Sequence, residues 1–185
     1  MTERLTSLAK IEAEVWRQLE LATHDKHHAW RAPVLATVDG DGADARTVIL
    51  REVDAHQKQL LTFTDDRANK VTQLLRHPRA TLVMWSPALG WQVRCRVFLT
   101  LEMTGLAATS RWAKIKLTPA AQDYLARLPP GAPLDVAEAV APEPLQREYF
   151  AVISAQVLSI DWLELKPAGH RRAVFDAHGG RWVQP

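Results

Sequence analysis

An arginine stands at each end of the apolar hexapeptide Arg46-Thr-Val-Ile-Leu-Arg51, which follows the Gly- and Asp-rich run VDGDGADA. Strand periodicity sends Arg46, Val48 and Leu50 to one face and Thr47, Ile49 and Arg51 to the other, so the two guanidinium groups point to opposite sides. Either both are solvated rim charges or at least one reaches an anion that the strand presents. Further along, LLTFTDDRANK reads as a strand that ends at Thr64 and runs straight into a helix, with Asp66 as N-cap and Lys70 in the first turn. Free N–H groups, a hydroxyl and an ammonium at one spot make a phosphate site, to which Arg46 on a neighbouring strand would add a planar fork. An Asp-capped helix with solvated Arg67 and Lys70 explains the same residues, and Asp65 and Asp66 oppose an anion there.

Other chemistries fit less well. Gly40-x-Gly42-x-x-Ala45 satisfies a loose dinucleotide pattern, but that motif must open a helix, and the β-branched residues that follow predict a strand after a hairpin turn. Asp39, Asp41 and Asp44 suggest a calcium loop, yet its twelfth position would be Leu50 where a bidentate Glu is needed. His24, His27 and His28 either meet on a helix face as metal ligands or form a solvated helix end favoured by the dipole; no metal is assigned. Cys95 is the single cysteine, which excludes an intrachain disulfide and a Cys-rich zinc site, and its place inside a strand predicts a buried thiol.

The elements that must position these groups are mainly strands. Leu5, Leu8, Ile11, Val15 and Leu19 recur at helical spacing, which predicts an amphipathic helix over about residues 3–22, within an N-terminal helical segment of residues 1–28. From Pro33 short β-rich runs separated by turn residues predict an antiparallel meander. RANKVTQLLRH predicts a short helix, PRATLVMW and WQVRCRVFLTLEM two more strands, and a further helix covers about residues 109–128. The proline-rich segment 128–147 predicts an irregular excursion, and the remainder returns to strands. Many short strands with no βαβ alternation predict a mainly β fold with peripheral helices, a Greek-key-like antiparallel barrel in one domain spanning residues 1–185. With 47% hydrophobic and 24% charged residues and no apolar run near about 20 residues, a soluble protein without a membrane partner is expected. A net charge of +2 gives no argument for a nucleic-acid surface. The acidic residues in MTERLTSLAKIEAEVW argue against a signal peptide, so the expected location is cytoplasmic.

In their order, PVLATVDGDGADARTVILREVD, LTFTDDRANKVTQLLRHPRATLVMW and WQVRCRV, with Trp162 and Arg172 around GHRR, resemble the FMN-binding split barrel of pyridoxamine 5′-phosphate oxidase and its relatives. The resemblance implies FMN as cofactor and a homodimer that binds two flavins at its interface. Arg46 would hold the phosphate, the backbone of Thr47, Val48, Ile49 and Leu50 would run along the flavin, and Arg51 would lie near the ring or the substrate. Phe63 and Thr64 would continue that wall and Lys70 would meet the phosphate, while Asn69 stands where the family usually has a basic residue. Gln92, Trp162 and Arg172 would come from the other protomer, and Trp85, Trp91 and Trp162 are large enough for some of them to cover the flavin or the partner.

The departures bear on substrate. Arg51 replaces the family's substrate-phosphate lysine, Ala168 stands where an arginine precedes the retained His170, and TSRWAKIKLTPAAQDYLARLPPG replaces the segment whose Tyr, Arg and Ser grip substrate phosphate. That pattern looks like the Alr4036-type branch, FMN-binding proteins without an assigned reaction. His170 and Arg51 are the catalytic candidates implied, with His170 and Trp112 toward a small-molecule substrate, although Trp112 suits core packing equally well. The expectation is an FMN-dependent oxidoreductase acting on something other than pyridoxamine phosphate; the alternatives are a flavin-binding protein without efficient catalysis or a true pyridoxamine/pyridoxine phosphate oxidase.

Overall fold

Ile11, Val15, Leu19 and Ala22 form one fully buried stripe on helix α1 (Leu8–His24), and that stripe packs the helix across an otherwise open side of a β-sheet. The computed structural model describes residues 4–133 and 148–185. After α1 come strands β1 (Val34–Asp39), β2 (Gly42–Thr47), β3 (Leu50–Asp54) and β4 (Gln59–Asp65), then helix α2 (Asn69–Arg76). Strands β5 (Arg79–Ser86) and β6 (Trp91–Glu102) follow, then helix α3 (Leu106–Ile115) and a 3₁₀ turn, Pro119–Tyr124. The chain closes with β7 (Phe150–Glu164), β8 (Arg171–Asp176) and β9 (Gly179–Val183).

Every strand pairing is antiparallel, in the order β2-β1-β5-β6-β7-β4-β3, with β8 added to β7 and β9 to β8. The spine is β7. One of its edges follows β6, while the other pairs with β4 from Phe150 to Gln156 and with β8 from Ile160 to Glu164. Where the partner changes, Arg96 faces Ser159 and Val97 faces Val157, so Leu158 is an extra residue in a bulge. The barrel splits at this point. Inside it, alternate residues of β6, namely Trp91, Val93, Cys95, Val97 and Leu99, are all buried. The mainly β split barrel with peripheral helices is therefore as the sequence predicts, and Cys95 is buried as expected, its thiol pushed up to about 12 by desolvation.

Several local expectations change. The hexapeptide from Arg46 to Arg51 is two strand ends rather than one strand: Thr47 closes β2 and Leu50 opens β3. These strands lie at opposite ends of the sheet order, and the chain crosses between them with the Val48 and Leu50 N–H groups donating to the carbonyls of Pro33 and Arg31, each at 2.9 Å. Asp66 is not the cap of α2. Ala68 occupies that position, and Asp65 accepts the Arg67 N–H at 2.8 Å and pairs with the Arg67 guanidinium. The helix expected over about residues 109–128 stops at Ile115 and resumes only as the 3₁₀ turn, because Pro119 cannot supply the N–H that a continuous helix needs. The first helix begins at Leu8 and ends at His24, slightly later than the periodicity predicts. Residues 134–147 of the expected excursion lie outside the described residues.

One histidine is tied into this frame. The His28 Nδ1 accepts the N–H of buried Trp30 at 3.1 Å, which leaves Nε2 to donate to Gln18 Oε1 at 2.8 Å. The bond to Nδ1 needs the neutral ring, because a protonated Nδ1 cannot accept, and burial holds its pKa below the ordinary value against the pull of Asp25. The unfolded chain then binds the extra proton more readily, so this contribution to stability is full above the ordinary histidine value of about 6.5 and is lost as pH falls toward the lower folded value. Melting temperature should fall on acidification below pH 6.5, and His28→Gln should flatten that fall, as a pH series of thermal melts would read directly.

Candidate functional site

Register places Arg46 opposite Leu35 and Asp44 opposite Thr37, and α2 lays Gln73 over the pair. The Arg46 Nη1 donates to the Leu35 carbonyl at 3.3 Å and to the Thr37 hydroxyl, while Nη2 donates to Gln73 Oε1 at 2.8 Å and to the Asp44 carboxylate. Lys70 stands nearby in the first turn of α2. Its ammonium donates to the Thr64 hydroxyl at 3.1 Å and has no carboxylate partner among the described residues. Burial first and the Arg46 charge second lower its pKa, while Asp65 acts in the opposite sense. Two cations are thus held near one another at the start of a helix, with the Asp44 carboxylate on Arg46. Asn69, next to Lys70, is exposed.

A different environment surrounds Arg51. Leu50 pairs with Thr62 and Glu52 with Leu61, so Arg51 is the extra residue of a bulge, which re-aims its side chain. The guanidinium lies 5.7 Å from the centre of the Phe63 ring and stands close enough to the Tyr124 hydroxyl for its charge to act on it. Burial raises the pKa of Tyr124, with Arg51 pulling it back. Arg51 Nε is buried and has no acceptor among the described residues. Trp112 settles on its packing role. It is buried in a small core with Tyr124 and Phe150, at ring distances of 6.0 and 5.4 Å, and is not presented as an open wall. Next to it on α3, Arg111 is held in a bidentate pair with Glu52 at 2.9 and 2.7 Å.

The residues expected to act across an interface divide by strand parity. Gln92 and Arg172 both neighbour Leu163 on an outward face that no described helix covers. On the same face Arg94 and Arg172 share the carboxylate of Asp161. Trp162 falls on the opposite parity. Its side chain is fully buried, 5.2 Å from Trp91 and 6.3 Å from Trp182, so Trp162 and Trp91 pack inside their own barrel instead of covering a partner. Trp85, by contrast, is exposed on the outward face. His170 is exposed at the head of β8, where the preceding Gly169 carbonyl accepts from Arg4 at 2.7 Å.

The sequence reading missed Asp44 and Gln73 as parts of the Arg46 site, Tyr124 and Glu52 as neighbours of the Arg51 site, and Asp161. Two of these were open to simple spacing arguments: Asp44 is two residues from Arg46 on a strand, and Gln73 is three from Lys70 on a helix.

Residues 13–101 match the family model for the pyridoxamine 5′-phosphate oxidase FMN-binding domain. A pyridoxine/pyridoxamine 5′-phosphate oxidase from Thermosynechococcus vestitus is 45% identical over 64 residues, which are 34% of this chain and 29% of that protein. A pyridoxamine 5′-phosphate oxidase-related, FMN-binding protein from Nostoc punctiforme superposes with a TM-score of 0.72 at 23% identity, covering 97% of this chain and all of the other. PhzG from Burkholderia lata, solved with tetrahydrophenazine-1-carboxylic acid, gives a TM-score of 0.72 at 13% identity over 97% of this chain and 94% of that one. These two likenesses establish the fold. FMN is the cofactor of the matched domain.

The residues at Arg46 and Lys70 fit its phosphate. A half-buried ammonium beside a guanidinium, whose hydrogen-bond partner among the described residues is a hydroxyl, gains from the negative charge that a phosphate brings. Replacing Lys70 by Met should therefore leave the flavin-free melting temperature unchanged or higher, while FMN affinity drops about tenfold for the lost charge-assisted bond. Thermal melts and FMN titration of the same variant check both halves.

Proposed function

We propose that this chain, a member of the pyridoxamine 5′-phosphate oxidase-like FMN-binding family, is an FMN-dependent oxidoreductase whose substrate is a small molecule other than pyridoxamine phosphate. The observation that carries the flavin reading is Lys70, half-buried next to Arg46 and in no ion pair with a carboxylate among the described residues. In this reading Arg46, Lys70 and the Thr64 hydroxyl hold the FMN phosphate. The crossing from Thr47 to Leu50 and the side chain of Phe63 line the flavin. Bound FMN supplies the hydride-accepting chemistry. Arg51, re-aimed by its bulge to lie near Phe63 and Tyr124, offers a cation toward the ring or the substrate, and His170 is an exposed group of the kind that takes or gives a proton.

A second copy of the chain completes the site. The outward face with Trp85, Gln92, Arg94 and Arg172 is the surface we assign to that partner, because it joins exposed apolar area to surplus positive charge. Two arginines against the single Asp161 carboxylate leave a cation to spare for a cofactor held by the other protomer. The single cysteine suits a reducing, cytoplasmic setting. Among the described residues no helix is long and apolar enough to cross a membrane.

The substrate reading rests on donors. The Ala168 side chain has none to give, and the Arg111 fork, a candidate substitute on α3, is already closed on Glu52. Sites built on hydrogen-bond donors lose orders of magnitude when the donors are missing. Purified protein should show a flavin spectrum, sediment as a dimer, and turn over pyridoxamine phosphate under air at least about 10³-fold less efficiently than a true family oxidase. A colourless monomer would remove the flavin reading, and brisk formation of pyridoxal phosphate with peroxide would remove the substrate reading alone.

A further inference from the structure

The Arg46 guanidinium makes four of its hydrogen bonds inside the protein. Three of the acceptors, the Leu35 carbonyl, the Thr37 hydroxyl and the Gln73 amide oxygen, are neutral; Asp44 is the one that brings a charge. Asp44 is also the outermost member, with 43% of its side chain exposed against 20% for Arg46, so it lies on the side from which a solute arrives. The Gln73 amide holds it there, donating to the Asp44 carboxylate at 2.9 Å while accepting from Arg46. Asp44 therefore presents to Arg46 the same chemistry, an oxyanion accepting N–H bonds, that a phosphate would present.

We propose that Asp44 is an internal competitor for the cofactor phosphate, seated on Arg46 until FMN displaces it, and that it sets FMN affinity below what the cation pair alone would give. The proposal rests on the reading of Arg46 and Lys70 as the phosphate site. Two effects act together. The phosphate must take over an N–H group that Asp44 already uses, and the displaced carboxylate, still tethered two residues away, repels the incoming dianion. Among the described residues Lys70 has no such competitor in direct contact, so it meets the phosphate without first losing an ion pair to them. Riboflavin, which lacks the phosphate, has no reason to move Asp44.

Flavin fluorescence quenching on purified apoprotein tests this with FMN and riboflavin as the two probes. Asp44→Asn and Asp44→Ser should each bind FMN about three- to tenfold more tightly than the native chain, as expected for relief of a partly exposed ion pair, with riboflavin affinity unchanged. Two variants guard against one that folds poorly, and melting curves identify it. Unchanged or weaker FMN binding in the folded variants overturns the proposal and makes Asp44 a support for the Arg46 fork. An equal gain for both flavins also overturns it, since the effect would then not concern the phosphate. Arg46→Ala separates the two levels of the argument: if it leaves FMN affinity at the native value, the phosphate site itself is misplaced and the proposal falls with it, whereas weakened FMN in Arg46→Ala beside unaltered Asp44 variants removes the competitor alone.

Discussion

Two like charges held close together inside a fold are a cost that folding alone does not explain. Lys70 is half-buried, its pKa lowered by desolvation and by Arg46, and among the described residues the carboxylate in direct contact with this pair, Asp44, sits on Arg46. Such an arrangement destabilises the empty protein and favours any anion that enters it. Everything around it serves to keep the two cations in place. The β1 and β2 pairing fixes the Arg46 side chain, Thr37 and Gln73 hold its fork from below, and the strand β4 brings Thr64 to the start of α2.

The second constraint is topological. Strand β7 cannot pair with β4 and β8 along the same stretch of edge, and the extra residue at Leu158 marks the change of partner. Opening the barrel there leaves a side that α1 covers and leaves β2 and β3 at opposite ends of the sheet order. The four residues from Thr47 to Leu50 span that distance, which makes a backbone crossing of the part of the chain richest in candidate cofactor contacts. A second bulge, at Arg51, turns its guanidinium toward Phe63 and Tyr124. Phosphate end and far end are thereby separated by the length of one short crossing, with a cation at each.

Much of this could be read from residue order. The alternation in WQVRCRVFLTLEM announces the half-buried β6, and the Gly40-Asp41 turn, with Gly40 at φ +60°, announces the hairpin between β1 and β2. The two arginines of the hexapeptide were visible as anion candidates on opposite faces. What period-2 counting could not supply was the break at Val48 and Ile49, since β-branched residues fit an uninterrupted strand as well as a crossing. Trp162 was misplaced for a different reason: similarity of motif placed it at an interface, whereas its parity with Ile160 and Glu164 on β7 sends it inward. Asp66 looked like a cap because spacing cannot distinguish it from Asp65, whose carboxylate takes the Arg67 N–H first. Ion pairs between distant segments, such as Arg111 with Glu52, depend on tertiary packing that no local pattern encodes.

The central claim is that the phosphate is the handle by which this protein holds its flavin. Calorimetric titration of the flavin-free protein with FMN and, separately, with riboflavin tests that most directly. With two charge-assisted contacts at stake, FMN should bind about a hundredfold or more tightly than riboflavin. Equal affinities for the two would contradict the account.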